Sequence, residues 1–192
     1  MPRPIAFNEE HVLSASMKCF WRKGFTATSI KDLELATGLT PSSLYNSFVS
    51  KDNLFLISLD HYIELIVRGR VQRFLTTDKP IEGIEAFFLD CFQENRGSSN
   101  LGCLLINTSA ELGPHNEAVR SKVSIGMKEV VDGLFGALTR AQVDGSLGQD
   151  IDPKDLASHL SLLLSGMIVK SKTAKNNAWV KTAMRSVTGL LH

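Results

Sequence analysis

An all-α fold follows from three features of the sequence. Apolar residues recur at i, i+3, i+4 and i+7 along almost the whole chain, convincing period-two alternation is missing, and cap and stop residues break the pattern at helix-length intervals. The expected architecture is an N-terminal three-helix, helix-turn-helix head over residues 1–50. A C-terminal helical body over 51–192 follows, its last helices forming a dimerising four-helix bundle.

The first helix is expected to start at Asn8, an N-cap residue followed by Glu9 and Glu10 at the positive end of the dipole. Val12, Ala15, Cys19 and Phe20 form its apolar stripe, and Gly24 ends it. A second helix begins at Thr28, whose hydroxyl is read as its cap, with Ile30, Leu33 and Ala36 inward and Gly38 as the stop. Thr40-Pro41 repeats the start signal, a capping hydroxyl before a proline at the first helical position. This third helix runs to about Ser47, with Leu44 and Phe48 inward.

A long fourth helix follows Ser50, with Phe55, Leu59, Tyr62 and Ile66 in one stripe and apolar neighbours widening it, a sign of burial on several sides. Thr76–Pro80 is a loop. The fifth helix carries Ile81, Ile84, Phe88 and Cys91. Gly97–Asn100 reads as a turn, and Gly102–Leu112 as a short apolar sixth helix broken by Gly113-Pro114. The seventh carries Val123, Met127, Val130, Leu134 and Leu138. After the Asp144–Gly148 loop, Asp152-Pro153 starts the eighth, with Leu156, Leu160, Leu163 and Met167. The last holds Val180, Met184, Val187 and Leu191.

Bulk properties narrow the function. The chain has 192 residues, 43% of them hydrophobic, and a formal net charge of +1. No apolar run approaches the ~20 residues that span a bilayer, and the N-terminus lacks the apolar core of a signal peptide. No membrane association and a cytoplasmic address are therefore expected. Cys19, Cys91 and Cys103 show no metal-ligand spacing, so reduced thiols, no metal and no cofactor are expected. Up to Lys51 the six basic residues only slightly exceed the four acidic ones. Any affinity for nucleic acid must come from placed groups rather than a basic tail.

The pair of short helices joined by Thr37-Gly38-Leu39 supplies such groups. A tight glycine turn can hold the second helix across the first, ready for the major groove of double-stranded DNA. With Leu44 and Phe48 docked, the opposite face shows Pro41, Ser42, Ser43, Asn46 and Ser47, small or polar residues suited to close approach. Tyr45 is placed where a phenol reaches a phosphate; it reads equally as a packing residue. Thr28, Thr40 and Lys51 sit at helix N-termini, which attract phosphate. Lys51 reads equally as a solvated charge.

These residues are ordered as in a known family. Phe20-Trp21-Arg22-Lys23-Gly24-Phe25, Thr28-Ser29-Ile30, Ala36-Thr37-Gly38-Leu39, Ser43-Leu44-Tyr45-Asn46-Ser47-Phe48 and Ser50-Lys51-Asp52-Asn53-Leu54-Phe55 together resemble the TetR family of bacterial regulators. The resemblance implies an all-helical homodimer, a palindromic operator, and release when a small-molecule or electrophile inducer binds. It assigns Thr28, Tyr45 and Lys51 to phosphate and Ser42, Ser43 and Asn46 to the recognition helix. Pro41-Ser42 and Ser47 depart from residues often found there, which leaves the operator sequence open. Gly102-Cys103-Leu104-Leu105-Ile106-Asn107 with Ala110-Glu111-Leu112 resembles a subgroup in which some members sense electrophiles or oxidants by a cysteine.

If Asn100 capped the sixth helix, Cys103 would lie in its first turn, where the positive helix end favours a thiolate. Cys103 reads equally as a small buried hydrophobe. An effector cavity in the body is expected to draw on Tyr62, Phe87, Phe88, Cys91, Asn107, Met127 and Phe135, residues that also suit plain core. Two other readings stand beside the regulator: a thiol-dependent enzyme using Cys103, His115 and Glu111, and a helical interaction module that does not bind DNA.

Overall fold

The computed structural model describes residues 7–93, 101–113 and 116–192, and all regular structure among them is helical. Helices α1 (Glu9–Lys23), α2 (Ile30–Thr37) and α3 (Pro41–Phe48) form the head. A long rod follows: α4 (Lys51–Tyr62), a π-helical segment (Ile63–Arg68) and α5 (Gly69–Phe74). Then come α6 (Pro80–Asp90), α7 (Leu104–Leu112), α8 (Glu117–Val143), α9 (Pro153–Ser171) and α10 (Ala178–Leu191).

Cap chemistry sets most of these boundaries. The Asn8, Thr40, Ser50, Asn116 and Asp152 side chains each accept a backbone N–H of the turn that follows. The second helix starts later than expected. Ser29 is its N-cap, and Ser29 and Asp32 form a reciprocal capping box. Thr28 is buried instead, its hydroxyl donating to the Gly24 carbonyl at 2.6 Å. Ala36, expected inward, is exposed, while Thr37 takes the buried position. The sixth expected helix starts at Leu104, with Cys103 as its N-cap rather than in its first turn. The turn at Gly97–Asn100 and the breaker Pro114 lie outside the described residues.

Two apolar cores result. One lies in the body, between α6, α8, α9 and α10, around Phe88, Ile84, Leu134, Leu138 and Leu160. The other joins head to body. Phe20, Leu33, Leu44, Phe48 and Phe55 from α1–α4 are continuous with Leu104 and Leu105 of α7 and Val119 and Val123 of α8. Cys103 packs against both. The head therefore rests on α4, which packs in turn on α7 and α8.

The π-helical segment lies in the rod that both cores share: Ile63 and Val67 belong to the head-side core, and Val71 and Phe74 of α5 pack against the body core. On its outer side Arg68 reaches Glu64 at 2.5 Å and Glu129 of α8 at 2.7 Å. Both pairs are largely exposed, so they fix geometry more than they stabilise.

Candidate nucleic-acid interface

Three local devices hold α3 outward. Gly38 takes the left-handed conformation (φ 73°), which only glycine adopts without strain, so the α2–α3 turn is tight. Thr37 donates to the Leu33 carbonyl at 2.7 Å and accepts the Leu39 N–H at 3.2 Å, tying the turn to α2. Thr40 then accepts the Ser43 N–H at 3.3 Å, and Pro41 opens the helix.

Leu44 and Phe48 are buried against the head core, as expected. Their anchoring turns Pro41, Ser42, Tyr45, Asn46 and Ser47 to solvent, with Ser43 half-buried. Tyr45 is 47% exposed, so its phenol stands free of the core. The corner after α3 is strained. Val49 has φ 66°, an unusual value for a β-branched residue, of order 1–3 kcal/mol. Its N–H still closes α3 on the Tyr45 carbonyl at 2.9 Å, and Asn53 donates to the Phe48 carbonyl at 3.0 Å. The α3–α4 corner is thereby fixed, and Lys51 begins α4 directly beside it. The Lys51 ammonium lies 4.3 Å from the Phe25 ring centre, a cation–π contact that holds it near the α1–α2 turn.

Thr28 is the departure from the expected set. It is 1% exposed and its hydroxyl is spent inside the head, so it does not present a free group to a phosphate. Ser29 occupies the exposed cap position there, and the Ser-x-x-Asp spacing was its signal in the sequence. Asp32 is held well below the usual carboxylate range, first by Lys23 at 2.5 Å and then by the Ser29 N–H and hydroxyl.

Of the expected effector residues, Asn107 lines a cavity between the α1–α2 turn and α7, with Trp21, Phe25 and Glu111. Tyr62 is fully buried, its hydroxyl donating to the Cys103 sulfur at 3.5 Å, and burial followed by the Cys103 neighbour pushes its phenol well above the usual value. Phe87 and Phe88 are packed in the body core. Cys91 is half-buried at the end of α6. Asn107 is occupied, donating to the Leu101 carbonyl and accepting from Lys172, both at 2.8 Å. Met127 packs against the head-side core. Phe135 is 44% exposed and faces out of the body, against the expectation that it lines a pocket. Of the enzyme triad, His115 lies outside the described residues, and Glu111 accepts the Phe25 and Thr26 N–H groups instead of orienting a base.

Two contacts that link head and body have partners the sequence does not mark. The Trp21 indole donates to the Gly102 carbonyl at 3.2 Å, and its ring meets Tyr62 edge-on at 5.1 Å. The Glu111 carboxylate receives Thr26 at 2.7 Å and Phe25 at 3.1 Å. Burial raises its proton affinity, but those amides and Lys51 outweigh it and leave the carboxyl below its usual range.

An exposed polar helix, set by a capped partner and a glycine turn on an all-helical support, is the build of a helix-turn-helix, DNA-binding transcriptional regulator. Comparison with known proteins agrees. Residues 12–56 match the profile of bacterial regulatory proteins of the tetR family, and residues 81–187 match the tetracyclin repressor-like C-terminal domain. The chain belongs to the TetR family. It is 28% identical over 174 residues to the HTH-type transcriptional repressor ComR of Escherichia coli strain K12, covering 88% of this chain and 82% of that one. It is 23% identical to the repressor DhaR of Mycobacterium sp. strain GP1, over 87% of this chain and 83% of that one. Among solved structures, a cysteine mutant of the TetR family regulator CifR, complexed with 26bp double-strand operator DNA, superposes with a TM-score of 0.80 and 27% identity, covering 98% of both chains. Reduced Escherichia coli NemR shares the fold, with a TM-score of 0.82, 23% identity and 94% of both chains covered.

Proposed function

We propose that this chain is a homodimeric repressor that binds a palindromic operator and is released by a small-molecule or thiol-reactive inducer. The observation that carries this reading is the outward polar face of α3, with Tyr45 and Lys51 placed on either side of the α3–α4 corner. The helix enters the major groove, where Ser42, Ser43, Asn46 and Ser47 meet base edges. Tyr45, Lys51 and the N-termini capped by Ser29 and Thr40 meet phosphates. Residues 1–50 act as the DNA-binding unit and 51–192 as the sensing and dimerising unit.

Two-fold pairing is supported by α9. Leu162, Gly166 and Val169 are exposed at i, i+4 and i+7, one face of the helix, and Leu190 of α10 is exposed as well. Such a face suits a four-helix bundle with a second copy. For the sensor, the Tyr62–Cys103 contact supports a thiol at the junction of both cores, whose modification would separate buried groups.

The test is selection of duplexes from a random pool by the purified protein, followed by footprinting. An inverted repeat with half-site centres about 34–36 Å apart is the expected result; a pool with no enrichment at low salt would overturn the reading. With the selected duplex, Lys51→Ala is expected to lower the salt dependence of the dimer by about one contact per head, a slope change near 2. Tyr45→Phe should weaken binding to all sequences alike. A slope unchanged in Lys51→Ala removes its phosphate role.

A further inference from the structure

Besides packing on α4, the head is hydrogen-bonded to α7 and to the residue just before its N-cap. Just ahead of α7 the Gly102 carbonyl takes the Trp21 indole N–H, and near the end of the helix Glu111 takes two amides of the α1–α2 turn. The second contact spans 85 and 86 positions of sequence, so it is a true link between the two halves of the chain. A carboxylate receiving two N–H groups is a charge-assisted, directional clamp. Those amides lie in an irregular turn with no helical partner.

The turn is shaped for this carboxylate. Gly24 has φ 78°, and a Cβ there would stand 2.7 Å from Glu111 Oε2, so glycine lets the carboxylate approach. What the clamp holds matters for the interface. Phe25 packs on Phe20 and Phe55, with ring centres 6.3 and 5.0 Å away, and lies under the Lys51 ammonium. The α1–α2 turn is thereby packed on the start of α4, beside the α3–α4 corner. Glu111 is the polar group by which α7 grips that turn.

We propose that Glu111 is a positioning residue for operator binding: from α7 its carboxylate grips the Phe25 and Thr26 amides and sets the orientation of the head on the body. It touches no DNA. Because Cys103 caps the other end of α7, a shift of this helix on inducer binding would reach the head through Glu111 as well as through the α4 rod. The inference rests on the operator-binding reading above, and its test separates the two.

The measurement compares Glu111→Gln with wild type on two duplexes, the full palindrome selected by the wild-type protein and a duplex holding one half-site. Glutamine keeps the shape and one acceptor but turns an NH2 toward the second amide. The loss of one charge-assisted hydrogen bond per head should weaken the palindrome about ten-fold or more. The half-site should change less than about two-fold, because each head keeps its own surface. Amide exchange at Phe25 and Thr26 should quicken, with the thermal midpoint and the dimer unchanged. Equal losses on both duplexes, or no loss on either, would overturn the proposal. If Glu111→Gln lowers the thermal midpoint, Glu111→Asp, which keeps the charge but falls one methylene short, is read by the same criteria. If the wild type selects no duplex, the operator reading fails by itself. The part in which Glu111 sets the head on the body is then decided by spin labels on a ketone-bearing residue at exposed position 18, where an unbroadened head-to-head distance distribution in Glu111→Gln overturns it.

Discussion

Replacing Phe20 with alanine should cost about 3–5 kcal/mol, the largest stability loss expected from a single substitution in the head. The ring is 0% exposed and sits where α1 crosses α4. It meets Phe55 edge-on at 4.9 Å and stacks on Phe25 at 6.3 Å. Truncation would remove the transfer energy of the ring, leave a cavity, and break aromatic pairs that add about 0.5–1.5 kcal/mol each. Because domains of this kind are stable by only about 5–15 kcal/mol, the variant should be poorly folded near body temperature. Urea titration followed by far-UV circular dichroism checks this, with Phe20→Leu as the milder control. A loss below about 1 kcal/mol for alanine would mean that the head core is not built round this ring.

The second large effect concerns assembly. Leu162→Glu combined with Val169→Glu should turn the proposed dimer into a monomer without unfolding it. Both side chains are mostly exposed, at 71% and 55%, so glutamate there meets water in the single chain and repulsion only at a two-fold contact. Affinity for a palindrome should then fall about a hundred-fold or more, because the two half-sites are no longer engaged as one linked event. Sedimentation velocity and binding to the selected duplex read the two consequences separately. A variant that stays dimeric would move the interface elsewhere on the surface.

How much of this was legible in the sequence depended on range. Caps and glycine stops act over three or four residues, so Asn8, Gly24, Gly38, Thr40, Ser50 and Asp152 could be read directly. Even there, two adjacent hydroxyls competed at the start of α2. Ser29 won because Asp32 completes the capping box, while Thr28 turned inward to the Gly24 carbonyl. Phe135 was misplaced for an angular reason: it directly follows the buried Leu134, and one residue on a helix is about 100° of rotation. Glu111 stands out as a polar residue on a mostly apolar helix, but its partners are backbone amides more than eighty residues away, which leave no side-chain pattern. Cys103 was drawn to the first turn by an assumed cap at Asn100, whereas the helix starts one residue after the cysteine.

The π-helical stretch between Ile63 and Arg68 has a consequence for how the chain tolerates change in length. Such a bulge holds one residue more than an α-helix of the same span. Deleting a single residue inside it would let the rod close into uniform α-helix, with Lys51 and Phe74 keeping their bearings. The same deletion a turn earlier, between Phe55 and Leu59, would rotate everything beyond by about 100° and pull the two cores out of register. The segment is thus the one place where this connector can be shortened without re-aiming what it connects.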